Sequence, residues 1–377
     1  MVLAAIKASL AGHDRGDIRF IVVDNGSVGA AHAALFKNRR LTAMLGGLRK
    51  IRDEPVELQV PFESIQTTGR RVVTVKSAHE VRTVRVTHRW LSRHGDIVIK
   101  LNRNHGYETG VNVALAVNHD GGFVGAPDCA DWQSLSDNGR RALYRSYCTW
   151  LTRAGGRPRN DVVLLGSDVR SHTGCFLDLA KTARLHPKIG LVGAKLVQQQ
   201  AGGLFVVGGG YIDDPEPLHQ TGWDAAPGPW HQFQNCSWLT FSCVYITRKC
   251  LGAVGTMDMR LFPYAGDVDY SRRAREHGFA NVYCPTALAL HQHESTTVVR
   301  VMRAMPAAEW IARTGESRRY FFFKWAERHV PWVKLPAGVF GAEQNCPAQR
   351  TGPVLPPAHP KRSPAQRGTK PRRARSP

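Results

Sequence analysis

The sequence predicts an α/β fold with a mainly parallel central sheet, and three observations lead there. Short apolar runs end in polar turn residues: Ile18–Val23 stops at Asp24-Asn25-Gly26-Ser27, and Asp161–Leu165 stops at Gly166-Ser167-Asp168. Helical patterns follow such strands, as Gly174–Leu185 follows the second of them and is itself followed by an apolar segment, Ile189–Val192. Strand, loop, helix, strand is the rhythm of a parallel sheet, whose ligands sit beyond the carboxyl ends of the strands.

The remaining elements follow in order. Val2–Leu10 reads as a helix, Arg71–Val75 as a strand, and Asp96–Leu101 as a strand running into a polar loop with Asn102, Asn104, His105 and Gly106. Gly110–Val117 is helical in pattern, Ser242–Thr247 is a strand, and Val268–His277 is an amphipathic helix. Ala280–Tyr283 and Ala287–Leu290 supply two short strands, and residues 118–160, a helical pattern between glycine-rich connectors, read as an insertion on the rim. One domain is expected over residues 1–335, followed by a disordered, basic, proline-rich tail over 336–377.

The chain has 377 residues, 42% of them hydrophobic, which is enough for a substantial core. Its formal charge of +21 favours polyanionic partners, and part of that excess is in the tail, at Lys361, Arg362, Arg367, Lys370, Arg372, Arg373 and Arg375. No stripe alternates bases with aromatics as a nucleic-acid groove would, so polyanion binding is expected of the tail rather than the body. The eight cysteines form no C-x-x-C pair and no zinc-like spacing with histidine, which points to free thiols in a reducing compartment. Met1–Leu10 is too short and too weakly apolar for a signal peptide, and no run reaches the ~20 apolar residues of a membrane span. A cytoplasmic protein is expected, with at most peripheral membrane contact. Arg318–Trp325 joins bases to a dense aromatic cluster, which reads either as a helix packing its aromatics on the core or as a membrane-surface segment.

Three groups of residues carry chemistry. Asp168 directly follows a strand, where its carboxylate can bridge a hard divalent cation to a diphosphate; the competing reading is a turn former. Asp267 and Asp269 open a helix after Phe262-Pro263-Tyr264-Ala265-Gly266, either as helix caps or as a carboxylate base near an acceptor hydroxyl. His291 leaves a strand beside His293 and Glu294, and a neutral imidazole with a carboxylate oxygen suits manganese.

The order of these pieces resembles the family 2 glycosyltransferases, especially their rhamnosyltransferase-like branch. Ile21–Ser27 looks like the loop that holds the nucleotide base, Asn104-His105-Gly106-Tyr107 with Asn112 like the segment lining the nucleotide pocket, and Val162–Val169 through Pro187–Leu196 like the acidic metal motif with its following helix and strand. The fourth similar stretch runs from Cys243 through Phe262–Asp269, Arg272 and Pro285 to His291, which lies 24 residues (291 minus 267) after Asp267. The resemblance implies a single nucleotide-diphospho-sugar transferase domain of the Rossmann-like glycosyltransferase A fold. It implies nucleotide contacts by Asp24, Asn25, Asn104, Gly106 and Asn112, and a Mn2+ or Mg2+ ion held by Asp168 and His291. Asp267 would be the catalytic base, with Asp269 and Tyr264 on the acceptor side. The implied reaction moves a sugar from a nucleotide-sugar donor to a glycan, lipid-linked or protein acceptor with inversion.

The chain departs from the family in three places. It starts at the helix that follows the family's first strand, so that strand is expected to be missing; Gly166 and Ser167 replace amide or acidic side chains; and Gly266 replaces a glutamate before Asp267. Two other functions remain open at this point: a relative that keeps the fold and binds without turnover, and a nucleic-acid-binding protein acting through its basic tail.

Overall fold

The computed structural model describes residues 18–26, 39–45, 47–51, 56–62, 66–68, 71–74, 80–92, 96–117, 160–213, 218–219, 221–258, 261, 265–291, 307–325 and 329–341. The readings of Val2–Leu10 as a helix and of Tyr264 as a site residue lie outside the described residues, as do residues 118–159 of the expected insertion at 118–160 and residues 342–377 of the expected tail at 336–377. The described start of that tail is not disordered, since Val339 and Phe340 pack on the core and Phe340 stacks on Phe233 with ring centroids 5.2 Å apart.

The amino-terminal half forms β1 (Ile21–Asp24), α1 (Arg39–Met44), β2 (Leu48–Ile51), β3 (Val56–Phe62), β4 (Gln66–Thr68), β5 (Arg71–Thr74), β6 (Glu80–Ser92), β7 (Ile97–Leu101) and α2 (Tyr107–Val117). The second half adds β8 (Val162–Leu165), β9 (Val169–Ser171), α3 (Cys175–Arg184), β10 (Ile189–Gln200), β11 (Gly203–Gly208), β12 (Gly210–Ile212), β13 (Leu218–His219) and β14 (Gly222–Trp223). It continues with β15 (Gln234–Cys236), β16 (Trp238–Leu239), β17 (Cys243–Ile246), α4 (Arg248–Val254), α5 (Gly266–Glu276), β18 (Ala280–His291) and α6 (Ala307–Trp325).

These strands build two open sheets and two small ones, a mixed α/β architecture. In the first sheet β1 lies parallel to β7, while the long β6 pairs antiparallel with β7 on one side and with β2 and β3 on the other. In the second, β10 runs parallel to β18 and antiparallel to β11 and β17, and β17 carries β8. Only those two pairings, β1 with β7 and β10 with β18, are parallel among the described strands, which corrects the expectation of a mainly parallel sheet. The physical reason is the connections: β10 to β11 is a tight hairpin, and a hairpin can only join antiparallel strands.

Two predicted short strands are one. β18 runs unbroken from Ala280 to His291, but its register against β10 jumps from Ala194↔Cys284 to Lys195↔Leu288. Pro285 has no N–H to give the ladder, so the chain bulges there and then resumes pairing.

Helix α2 lies between the two sheets. Its Val113 packs with Ile99 and Leu101 of β7 and with Ile21 and Val23 of β1, while Val111 and Leu115 join the core that includes Leu164, Leu191 and Val244. Asn112 fixes the helix on that side: its amide donates to the Met257 carbonyl at 2.8 Å and accepts from the Met257 N–H at 2.8 Å. Asp96 ties the start of β7 to β1, accepting from the Phe20 N–H at 2.9 Å and from Ser92 Oγ at 2.8 Å. Among the described cysteines, Cys175, Cys236, Cys243, Cys250 and Cys284 are free and buried, as the absence of paired spacing predicts.

Candidate functional site

The carboxyl ends of β1, β7 and β8, the end of β18 and the first turn of α5 carry the residues singled out in the sequence. Asp24 closes β1 and is 4% exposed. Asn25 then cross-links two loops: its Nδ2 donates to the Gly106 carbonyl at 2.7 Å and to Asn104 Oδ1 at 3.1 Å, and its Oδ1 accepts from the His105 N–H at 3.0 Å. Asn104 Oδ1 also accepts from the Gly106 N–H at 3.0 Å. So Asn25, Asn104 and Gly106 form one hydrogen-bonded unit, with Asn104 exposed on its rim.

Gly26 is required for that unit. Its φ is 79°, and a Cβ there would lie 2.1 Å from the Arg103 carbonyl carbon and 2.3 Å from the Asn104 nitrogen, both main-chain atoms that cannot step aside. Gly26→Ala is therefore expected to cost about 3 kcal/mol or more of stability, by a left-handed backbone strain added to a clash. A denaturant midpoint equal to that of the unaltered protein would contradict this packing.

The turn after β8 is held by Gly166, which donates to the Ser242 carbonyl at 2.8 Å and accepts from the Val169 N–H at 3.1 Å. Its lack of a side chain makes room for Asp168, because a Cβ on Gly166 would lie 2.9 Å from Asp168 Oδ1. β9 then pairs with β18 so that Val169 stands opposite His291, and this register brings His291 Nε2 to 3.6 Å from Asp168 Oδ2. Both side chains are largely buried.

Asp267 lies in the first turn of α5, after Ala265, which takes a left-handed φ of 73°. The carboxylate accepts from the Val268 N–H at 2.9 Å and from the Phe241 N–H. Burial outweighs those hydrogen bonds and pushes Asp267 up to about 6 from its ordinary 3.8. The space beside Gly266 is filled from another element: a Cβ there would lie 2.5 Å from Glu108 Oε1 of α2.

Tyr107 links these parts. Its ring is partly exposed, but its hydroxyl turns inward and donates to the Phe241 carbonyl at 2.8 Å. Burial raises the phenol well above its usual range, and the negative charges of Glu108, Asp267 and Asp168 raise it further. The same peptide segment therefore contacts Tyr107 through the Phe241 carbonyl, Asp267 through the Phe241 N–H, and the Asp168 turn through the Ser242 carbonyl. The Tyr107 hydroxyl, Asp168, Asp267 and, through Asp168, His291 lie in one neighbourhood.

Two predicted site residues are engaged in contacts within the fold. Asp269 is fully buried and faces the interior, where it binds Arg273 Nε at 2.9 Å, Lys324 Nζ at 2.6 Å and Trp325 Nε1 at 3.0 Å. Asn112 spends both ends of its amide on Met257, so its role in the fold is a clamp. In the other direction, Glu108, Tyr107 as a hydroxyl donor and the Phe241 main chain were not anticipated as site groups. Tyr107 had a signal, since it opens a helix directly after a strand-end loop; a main-chain N–H and carbonyl have none.

No family model matches the chain. Over 99 residues, 26% of this chain, it is 35% identical to N-acetylglucosaminyl-diphospho-decaprenol L-rhamnosyltransferase of Mycobacterium tuberculosis, in strains CDC 1551 / Oshkosh and ATCC 25618 / H37Rv alike. The match spans 29% of the length of that curated relative, so over this segment the chain is homologous to a glycosyltransferase. Among solved structures, a crystal structure of GalNAc-T7 with UDP, GalNAc and Mn2+ aligns with a TM-score of 0.33 and 10% identity over 52% of this chain and 31% of that one.

Proposed function

We propose that the protein is an inverting, metal-dependent glycosyltransferase of family 2 type that moves a sugar from a nucleotide donor to an acceptor hydroxyl, with Asp267 as base. The observation that carries this reading is that Tyr107 and Asp267 both bond the main chain of Phe241 and that the Tyr107 hydroxyl feels the charge of Asp168, which lies 3.6 Å from His291. A carboxyl pushed up to about 6 is near the value a general base needs at neutral pH. The 35% identical segment shared with a rhamnosyltransferase supports the same class.

In this reaction the acceptor oxygen attacks the anomeric carbon while its proton passes to Asp267. The bond from that carbon to the diphosphate breaks, the electron pair leaves with the nucleoside diphosphate, and configuration inverts. The Asn25, Asn104 and Gly106 unit beside Asp24 sits at the strand ends where the nucleotide binds.

The donor set fits a divalent cation: an imidazole nitrogen and a carboxylate oxygen face each other, with the space beside the carboxylate left open by Gly166. Among the described residues no group of three or more His, Cys, Asp or Glu gathers around such a position, so diphosphate oxygens and water would complete the coordination. Asp168 and His291 would hold the ion, which supplies charge neutralisation for the departing diphosphate.

The test is release of nucleoside diphosphate from a panel of nucleotide sugars with Mn2+ or Mg2+, led by a nucleotide-activated rhamnose, beside the Asp168→Asn protein. Turnover with one donor that falls at least about tenfold in Asp168→Asn is expected, since that change removes one cation ligand. Nucleotide binding with no turnover for any donor and a full range of acceptors would identify a binding protein instead.

A further inference from the structure

Helix α6 has two unlike faces. One is packed: Ser317, Tyr320 and Trp325 are buried, Tyr320 donates to Asp258 Oδ2 at 2.7 Å, Lys324 bridges Asp258 and Asp269, and the Arg272 guanidinium lies over Phe321 and Trp325. Phe321 and Trp325 of the aromatic cluster thus fix the helix to α5, and Tyr320 fixes it to Asp258.

At about 100° per residue, Ile311, Arg318 and Phe322 fall on one line opposite Tyr320, with Ala308 and Arg319 beside them, and the line runs into the fold at Trp325, seven residues after Arg318. Ile311 and Phe322 are each 68% exposed, the highest exposures among the described large apolar side chains, and Arg318 and Arg319 are exposed as well. That arc contains no Asp or Glu. Eleven residues separate Ile311 from Phe322 (322 minus 311), which is about 16 Å along a helix axis, so the two apolar side chains can meet a flat surface together.

We propose that this face of α6 docks on an anionic lipid bilayer, with Ile311 and Phe322 entering the headgroup layer and Arg318 and Arg319 pairing with lipid phosphates. The charge pattern selects this occupant. A second copy meeting this face with its own brings the same two arginines, and a nucleic acid has bases to stack on Phe322 but no partner for the exposed aliphatic Ile311, whereas an anionic membrane interface takes both apolar insertion and basic contacts. Arginine stems extend along the apolar layer while the guanidinium reaches the phosphates. The docking is peripheral, since no described helix is long and apolar enough to cross a membrane. It goes beyond the sugar-transfer reading and does not rest on it. If both hold, the helix on the bilayer is the one bolted to α5, whose first turn carries Asp267, so a lipid-linked acceptor would enter from that side.

The experiment is co-sedimentation of the full chain with vesicles of phosphatidylglycerol in phosphatidylcholine, and with phosphatidylcholine alone. The expected result is binding to the first, weakened about tenfold by the double change Ile311→Ser with Phe322→Ser, and by a similar factor by Arg318→Gln with Arg319→Gln at low salt. All four side chains are exposed, so melting temperatures should stay those of the unaltered protein. Equal binding of the Ile311→Ser, Phe322→Ser protein overturns the proposal in favour of charge attraction alone, the basic tail included. Absence of vesicle binding, or self-association that this same variant disperses, overturns it as well. Diphosphate release is measured separately, without vesicles, so failure here and failure of the transferase reading are told apart.

Discussion

Replacing Asp267 by Asn is expected to lower sugar transfer by about 10²–10⁴-fold, the range spanned by loss of a general base, while nucleotide binding stays intact. The amide keeps an oxygen for the Val268 and Phe241 N–H groups, so the first turn of α5 has no reason to move. The same substitution should make the protein more stable above neutral pH. The folded-state pKa of Asp267, about 6, lies above its ordinary 3.8, so the folded state holds this proton more tightly than the unfolded chain does. The stabilising contribution is complete below pH 4 and is lost as pH rises through about 6. At pH 8 the ionised carboxylate costs the unaltered protein about 1–2 kcal/mol, a value discounted for the water its side chain still meets, and Asn removes that cost. Turnover of the unaltered protein should follow the opposite course, falling as pH drops through about 6 because the base must be ionised. Thermal melts at pH 4 and pH 8, beside transfer rates, check both; a transfer rate untouched by Asn would remove Asp267 from the mechanism.

A large loss of stability is expected from Asp269→Ala. Its carboxylate, fully buried, holds Arg273, Lys324 and Trp325 at once, and removing it leaves two cations short of their counter-charge in the interior. Breaking one side of a buried ion pair costs about 3–5 kcal/mol. Arg273 keeps the carbonyls of Val254 and Thr256, and Lys324 keeps Asp258, which places the effect toward the lower end of that range. Denaturant midpoints measure it, and a Lys324→Met change in the same background should return part of the loss. A midpoint shift no larger than that of an exposed substitution would mean the cluster is not closed to water.

Asp267 and Asp269 also show what the sequence could and could not reveal. Two carboxylates at i and i+2 look like a pair on paper, but on a helix they point about 200° apart, so Asp269 is closed in the interior while Asp267 is only half-buried. Their separate fates were implicit in the spacing once α5 starts at Gly266. Strand-end positions were readable for Asp24, Asn104 and Asp168 because apolar runs stop abruptly before polar turns. The pairing partners of those strands were not, since period alone does not give direction. β6 had a usable pattern, Val84, Val86, His88 and Trp90 alternating with Arg85, Thr87 and Arg89, but of its antiparallel neighbours β2 is short and half basic and β3 carries Pro61, which argues against a strand, and neither has a turn signature that fixes its register. The Glu108 carboxylate over Gly266 could not be foreseen, because it depends on two helices meeting across the gap between the sheets.

The position of α2 has a practical consequence for anyone dividing this polypeptide. Its buried stretch, Glu108 to Val113 with Leu115, is wetted on neither flank, since one flank serves β1 and β7 and the other serves the core around Leu164. A break anywhere from residue 118 to 159 would leave the helix with the amino-terminal fragment, baring its second flank there and uncovering the core around Leu164 in the other, so split halves should be sticky apart and soluble only when expressed together.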